Sequence, residues 1–149
     1  MKFSITRLRA AFGDIRAMEK LHVDTHTEGI INDIENEPFA ISASNVMYAD
    51  LGELAGYHLL NTVIVGSFHI KTIKGVQLKV KGSDFELNLN SDMVEIESDF
   101  SNVSNRSITR IDFEIEKEDL SKISKSKIIS LELIAKKQHI VFSIAEKNN

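Results

Sequence analysis

Four residues at alternate positions, His22, Asp24, His26 and Glu28, have the chemistry to hold a metal ion. On an extended strand they would line one face, and neutral imidazoles with carboxylates suit zinc, manganese or iron. The same stretch carries a competing pattern. Thr25 with Glu28 forms a capping box, in which each side chain satisfies free backbone N–H groups at a helix start. That places His22 and Asp24 before the helix and His26 and Glu28 in its first turn. It also accounts for Ile30, Ile31 and Ile34 at helical spacing. The two readings need different backbones, and the helical one explains more residues. The metal site therefore stands as a second alternative, with His58 as a third imidazole that no spacing demands.

Other chemistry is thin. The chain has no cysteine, which removes thiol nucleophiles, thiolate ligands and disulfides. It has no Gly-x-Ser-x-Gly elbow and neither Gly-rich nucleotide fingerprint. Asp112, Glu114 and Glu116 alternate along one stretch. A glycosidase pair needs carboxylates across a cleft, one with its pKa raised by burial, whereas these read as cross-strand partners for lysines. His69 and His139 read as surface residues. Phe39, Tyr48 and Tyr57 fall in a stretch without positive charge and are candidates for a pocket between helices and sheet, where a small apolar ligand would sit. No catalytic residue is assigned, and no cofactor is expected.

Charge is unevenly spread. The net charge is −4, yet residues 21–70 contain no Lys or Arg and seven acids, while residues 1–20 are basic. The acidic stretch argues against a nucleic-acid surface there, since phosphate binding needs clustered cations. The basic cluster Lys122, Lys125, Lys127, Lys136 and Lys137 reads as a solvated rim around strand ends. No apolar run is long enough to span a membrane, and Met1 to Leu8 lacks the core of a secretory signal. The expectation is a soluble cytoplasmic protein; an exported one with a trimmed leader would read the same.

These residues need elements to position them. Ile5, Leu8, Phe12, Ile15 and Met18 recur at three- and four-residue spacing and predict a helix over the first twenty residues, with a short helix from about His26 to Asn36. Pro38 stops the second. Residues 39–61 are ambiguous: Ser44 or Asp50 could start a helix, and Gly52 and Gly56 weaken either choice. From near Leu60 strands follow one another. Ile73-Lys74-Gly75 fits a three-residue loop with glycine left-handed, and Gly82-Ser83 fits a type II′ turn pairing Val80 with Phe85 and Lys79 with Glu86. Ser98 to Arg106 reads as loop, and Glu118 to Lys125 as one or two helical turns with Leu120 and Ile123 packed down. Ile129, Leu131 and Leu133 form a final hairpin with Ile140, Phe142 and Ile144 across Lys136-Lys137-Gln138.

Together these give one domain over 1–149, mainly helical over 1–58 and antiparallel β over 59–146. The expected fold class is α+β: N-terminal helices followed by an antiparallel β-meander of about seven strands, as a curled sheet, half-barrel or small sandwich, with a short helical turn before the last hairpin. The expected function is a non-enzymatic protein–protein association module, in self- or hetero-association, with Leu8, Phe12 and Ile15 as the association stripe. The first alternative is a carrier binding an apolar ligand between helices and sheet. Nucleic acid and membrane are not expected partners.

Overall fold

Alternating apolar and polar residues build most of the molecule, because a strand sends successive side chains to opposite faces. The computed structural model describes residues 37–101 and 106–145. In it, β1 (Ala40–Ile41), β2 (Asn45–Leu54) and β3 (Tyr57–Gly66) lead to the short β4 (Lys71–Thr72). The hairpin β5 (Gln77–Gly82) and β6 (Glu86–Asn90) precedes β7 (Ile96–Glu97), β8 (Asp99–Ser101) and β9 (Arg106–Glu114). A 3-10 helix, Lys117–Lys122, leads into β10 (Ile128–Ala135) and β11 (Gln138–Ile144).

Nine of these strands form one antiparallel sheet in the order β6-β5-β10-β11-β1-β2-β3-β9-β8, and β4 pairs with β7 separately. The large sheet curls into a half-barrel. Its far strands approach where Ser91, just past β6, bridges Phe113, and the Asp92 N–H donates to the Asp112 carbonyl at 2.9 Å.

This overturns the expected α+β class. Strand accounts for 62% of the described residues and helix for 6%, with no helix of seven or more residues. The sheet is not a meander of about seven strands, because β10–β11 inserts between β5 and β1 and brings the two ends of the chain's β region together. The ambiguous stretch 39–61 is the paired hairpin β2–β3 with its turn at Ala55-Gly56. Val46, Met47 and Tyr48 put apolar side chains on both faces, which hides the two-residue period and mimics helical spacing. The helices expected over 1–20 and His26–Asn36 lie outside the described residues.

Local expectations also shift. The stretch Ser98 to Arg106, expected as loop, contains β8. Gly82 closes a turn at Ser83-Asp84, so Lys81 pairs with Glu86 and Val80 with Leu87. The Phe85 ring lies on Gly82, where an added Cβ would come 2.1 Å from the ring edge. Gly75 is left-handed as expected (φ +76), but its loop leads from β4 into β5. A bulge between Ile128 and Ser130 puts Ile128 in the core and leaves Ile129 exposed. The last turn is two residues, Lys136-Lys137, between paired Ala135 and Gln138. Leu120 and Ile123 pack against the core from the 3-10 region, as the sequence predicts.

The concave face holds the core, including Met47, Leu60, Ile64, Leu78, Val80, Phe113, Leu131, Leu133 and Phe142. The β4–β7 pair is tied to β9 by buried hydroxyls: the Ile70 N–H donates to Ser98 Oγ (2.9 Å), which lies 2.6 Å from Thr109 Oγ1. Tyr48, Leu59, Val63, Val65 and Ile108 lie on the other face of β2, β3 and β9. Each is buried, yet none belongs to the core cluster. So β3 is buried on both faces, in keeping with the apolar runs Leu59-Leu60 and Val63-Ile64-Val65 on either side of Asn61 and Thr62.

Candidate functional site

The most unusual surface lies where strand ends meet. The β2–β3 turn brings Leu54 and Tyr57 beside Asp92 and Glu114, around a cleft of about 250 Å3. The loop holding Asp92 is fastened to the loop before β5: the Gly75 N–H donates to the Val94 carbonyl (2.9 Å) and the Val76 N–H to Ser91 Oγ (3.0 Å). Along this connected rim five large apolar side chains face solvent: Leu54 (68%), Tyr57 (71%), Ile73 (72%), Met93 (60%) and Val94 (62%). Loops are ordinarily polar, and apolar residues exposed together mark contact surfaces.

A second cleft adjoins the Ile73 end. Lys71, Thr72, Ile73, Lys74, Lys136, Lys137 and Gln138 line a space of about 900 Å3. Its frame is fixed by backbone. The Lys74 N–H donates to Thr72 Oγ1 (3.1 Å), and Gln138 Nε2 donates to the His69 carbonyl (3.1 Å). Among the described residues no carboxylate lies within ion-pairing distance of the four ammonium groups. Lys136 adopts φ +54, a conformation that costs an L-residue other than Gly or Asn about 1–2 kcal/mol.

The basic cluster read from the sequence is therefore two groups. Lys122 pairs with Asp119 at 2.8 Å and lies over the Phe85 ring. Lys125 Nζ donates to the Pro38 carbonyl and Lys127 Nζ to the Ser121 carbonyl, each at 2.8 Å. Those three brace the chain around the 3-10 helix. Lys136 and Lys137 instead join Lys71 and Lys74, which the sequence places over sixty residues away.

The remaining candidates scatter. His22, Asp24, His26 and Glu28 lie outside the described residues, as do Leu8, Phe12 and Ile15. Among the described residues no three of His, Asp and Glu come together to hold a metal. His58 is half-buried in β3. His69 is exposed, its Nδ1 2.8 Å from Ser107 Oγ and its ring edge-on to Phe100. His139 Nδ1 lies 2.9 Å from Glu132 Oε2. Phe39 packs on the core, Tyr48 is buried on the opposite face and Tyr57 is exposed, so the three do not line one pocket. Asp112 is half-buried while Glu114 and Glu116 are exposed. Burial pushes the Asp112 carboxyl above its ordinary range, Arg110 opposes this and Asp92 adds to it.

The residues of the rim left a faint signal in the sequence: Ile73 two residues before Gly75, and Leu54 and Tyr57 flanking Ala55-Gly56, are apolar where turn chemistry favours polar residues. Fold and surface define a curled antiparallel sheet with an exposed apolar rim and a cationic cleft. The chain matches no family model, no curated protein and no solved structure. No helix among the described residues is long and apolar enough to cross a membrane.

Proposed function

We propose that this protein is a non-enzymatic association module that contacts another protein through the rim formed by Leu54, Tyr57, Ile73, Met93 and Val94. The observation that supports it most is the exposure of these five large apolar side chains on strand ends and loops that adjoin one another. Tyr and Met are enriched at protein interfaces, and such residues gain by being removed from water. The alternative of an apolar ligand held against the sheet finds less support, because the concave face is filled by core side chains.

The test compares wild type with the Y57S/M93S/V94S variant. The variant is expected to keep its melting temperature, since these side chains are exposed, and to lose protein contacts. Native mass spectrometry and cross-linking before capture read those contacts, including contacts with a second copy. A wild type that remains a bare monomer, with a cross-linked set identical to that of the variant, would overturn the reading.

A further inference from the structure

Resting on that reading, we infer that the cleft between Lys71, Lys74, Lys136 and Lys137 receives an acidic, partly apolar segment of the protein partner. Four lysines line one open cleft, and no carboxylate of a described residue lies within ion-pairing distance of them. Ile73 stands exposed among them, so the occupant needs an apolar side chain between its carboxylates.

The turn itself points to use. A two-residue hairpin loop prefers Asn-Gly, because its residues take positive φ without a steric penalty. Here the loop is Lys136-Lys137, and Lys136 sits at φ +54. The chain holds a lysine in a strained backbone and thereby presents two cations at the tip of the hairpin; backbone outliers of this kind gather at functional positions. The cleft is also held in shape before any partner arrives. Gln138 ties the hairpin to the His69 carbonyl, and Thr72 with Val94 fixes the loop carrying Ile73 and Lys74. A preformed frame lowers the entropy lost on binding.

A protein segment fits better than a nucleic acid. Asp92, Glu95 and Glu97 lie on the adjoining stretch, and Glu97 stands opposite Lys71 in the β4–β7 register. A phosphate backbone continuing past the cleft would meet those carboxylates, whereas a short acidic segment ends within it. The whole chain is acidic, which also disfavours a polyanion larger than the cleft.

The experiment uses the full chain and a fluorescent peptide of alternating Glu and Leu, with a Ser–Leu peptide and a duplex DNA as comparisons. Wild type is expected to bind the acidic peptide, with affinity falling as salt rises, and to bind neither comparison comparably. The K136N/K137S variant is expected to bind at least tenfold more weakly while melting no lower than wild type, because asparagine accepts the positive φ at 136, which excludes unfolding as the cause. K71Q/K74Q, which removes both charges without setting a second carboxylate opposite Glu97, should weaken binding to the same degree with its melting temperature unchanged. Equal binding of the acidic peptide by wild type and both variants would overturn the inference. So would equal or tighter binding of duplex DNA, which would assign the cleft to phosphate. If acidic-peptide binding is absent while the Y57S/M93S/V94S variant still loses its protein contacts, this inference fails and the association module stands.

Discussion

Asp112 is the residue whose environment is least comfortable. Its Oδ1 is buried without a hydrogen-bond partner, and it faces Asn61 across β3 and β9. Burial, the largest influence, raises its pKa above the ordinary 3.8, and nearby Asp92 acts in the same sense. A raised folded-state pKa means the folded protein holds its proton more tightly than the unfolded chain. Stability is therefore greater at low pH and is lost as pH rises from the unfolded-state value through the raised one. Asp112→Asn is expected to raise the melting temperature at neutral pH, and the difference from wild type should shrink as pH falls towards about 4. A constant difference across that range, in thermal melts, would remove the titration from the explanation. Gly66 poses a steric question instead. It has φ +151, and an added Cβ would lie 2.1 Å from the Ser44 carbonyl. Gly66→Ala is expected to cost about 3 kcal/mol in denaturant unfolding, from close approach and backbone strain together.

At the scale of elements, hairpins carry the clearest logic. Ala55-Gly56 connects β2 to β3 with both residues at positive φ (52 and 82). Glycine accepts this freely and alanine does not. Ala55→Asn, which restores the preferred Asn-Gly pair, should stabilise the protein by about 0.5–1 kcal/mol, and urea midpoints measure it. The β5–β6 turn shows how far a sequence can be read at this scale. Even loop parity put Val80, Leu78, Leu87 and Leu89 on one face, and that face is buried. The register is two residues off the expected one because Gly82 serves the Phe85 ring rather than the turn. Glycine in a strand leaves a gap that an aromatic neighbour fills, and period alone does not distinguish that use from a turn. Likewise Val46, Met47 and Tyr48, apolar on both faces, erased the alternation of β2, so strand was read only from Leu60, within β3. The lysine cleft was invisible for a different reason: its halves meet only through β5, β10 and the β4 loop.

At the scale of the molecule, burial on the second face of β2, β3 and β9 sets up a sharp comparison. Val63 and Val141 both point away from the core cluster, but Val63 is 0% exposed and Val141 is 63% exposed. Val63→Ala should cost about 2 kcal/mol, while Val141→Ala should lie within about 0.5 kcal/mol of wild type. Equal costs in chemical denaturation would mean that the second face contributes nothing to stability. The sequence by itself determined which residues alternate, and hence the strands from β5 onward other than β8, the apolar face of each and the helical turn carrying Leu120 and Ile123. Those features are local, because a pleated backbone and side-chain polarity settle them within a few residues. Only the tertiary structure decided the strand order, the strand identity of 45–59, and the meeting of Lys71 and Lys74 with Lys136 and Lys137. Each of those depends on partners distant in the chain, and pairing between distant strands leaves no periodic trace in either one.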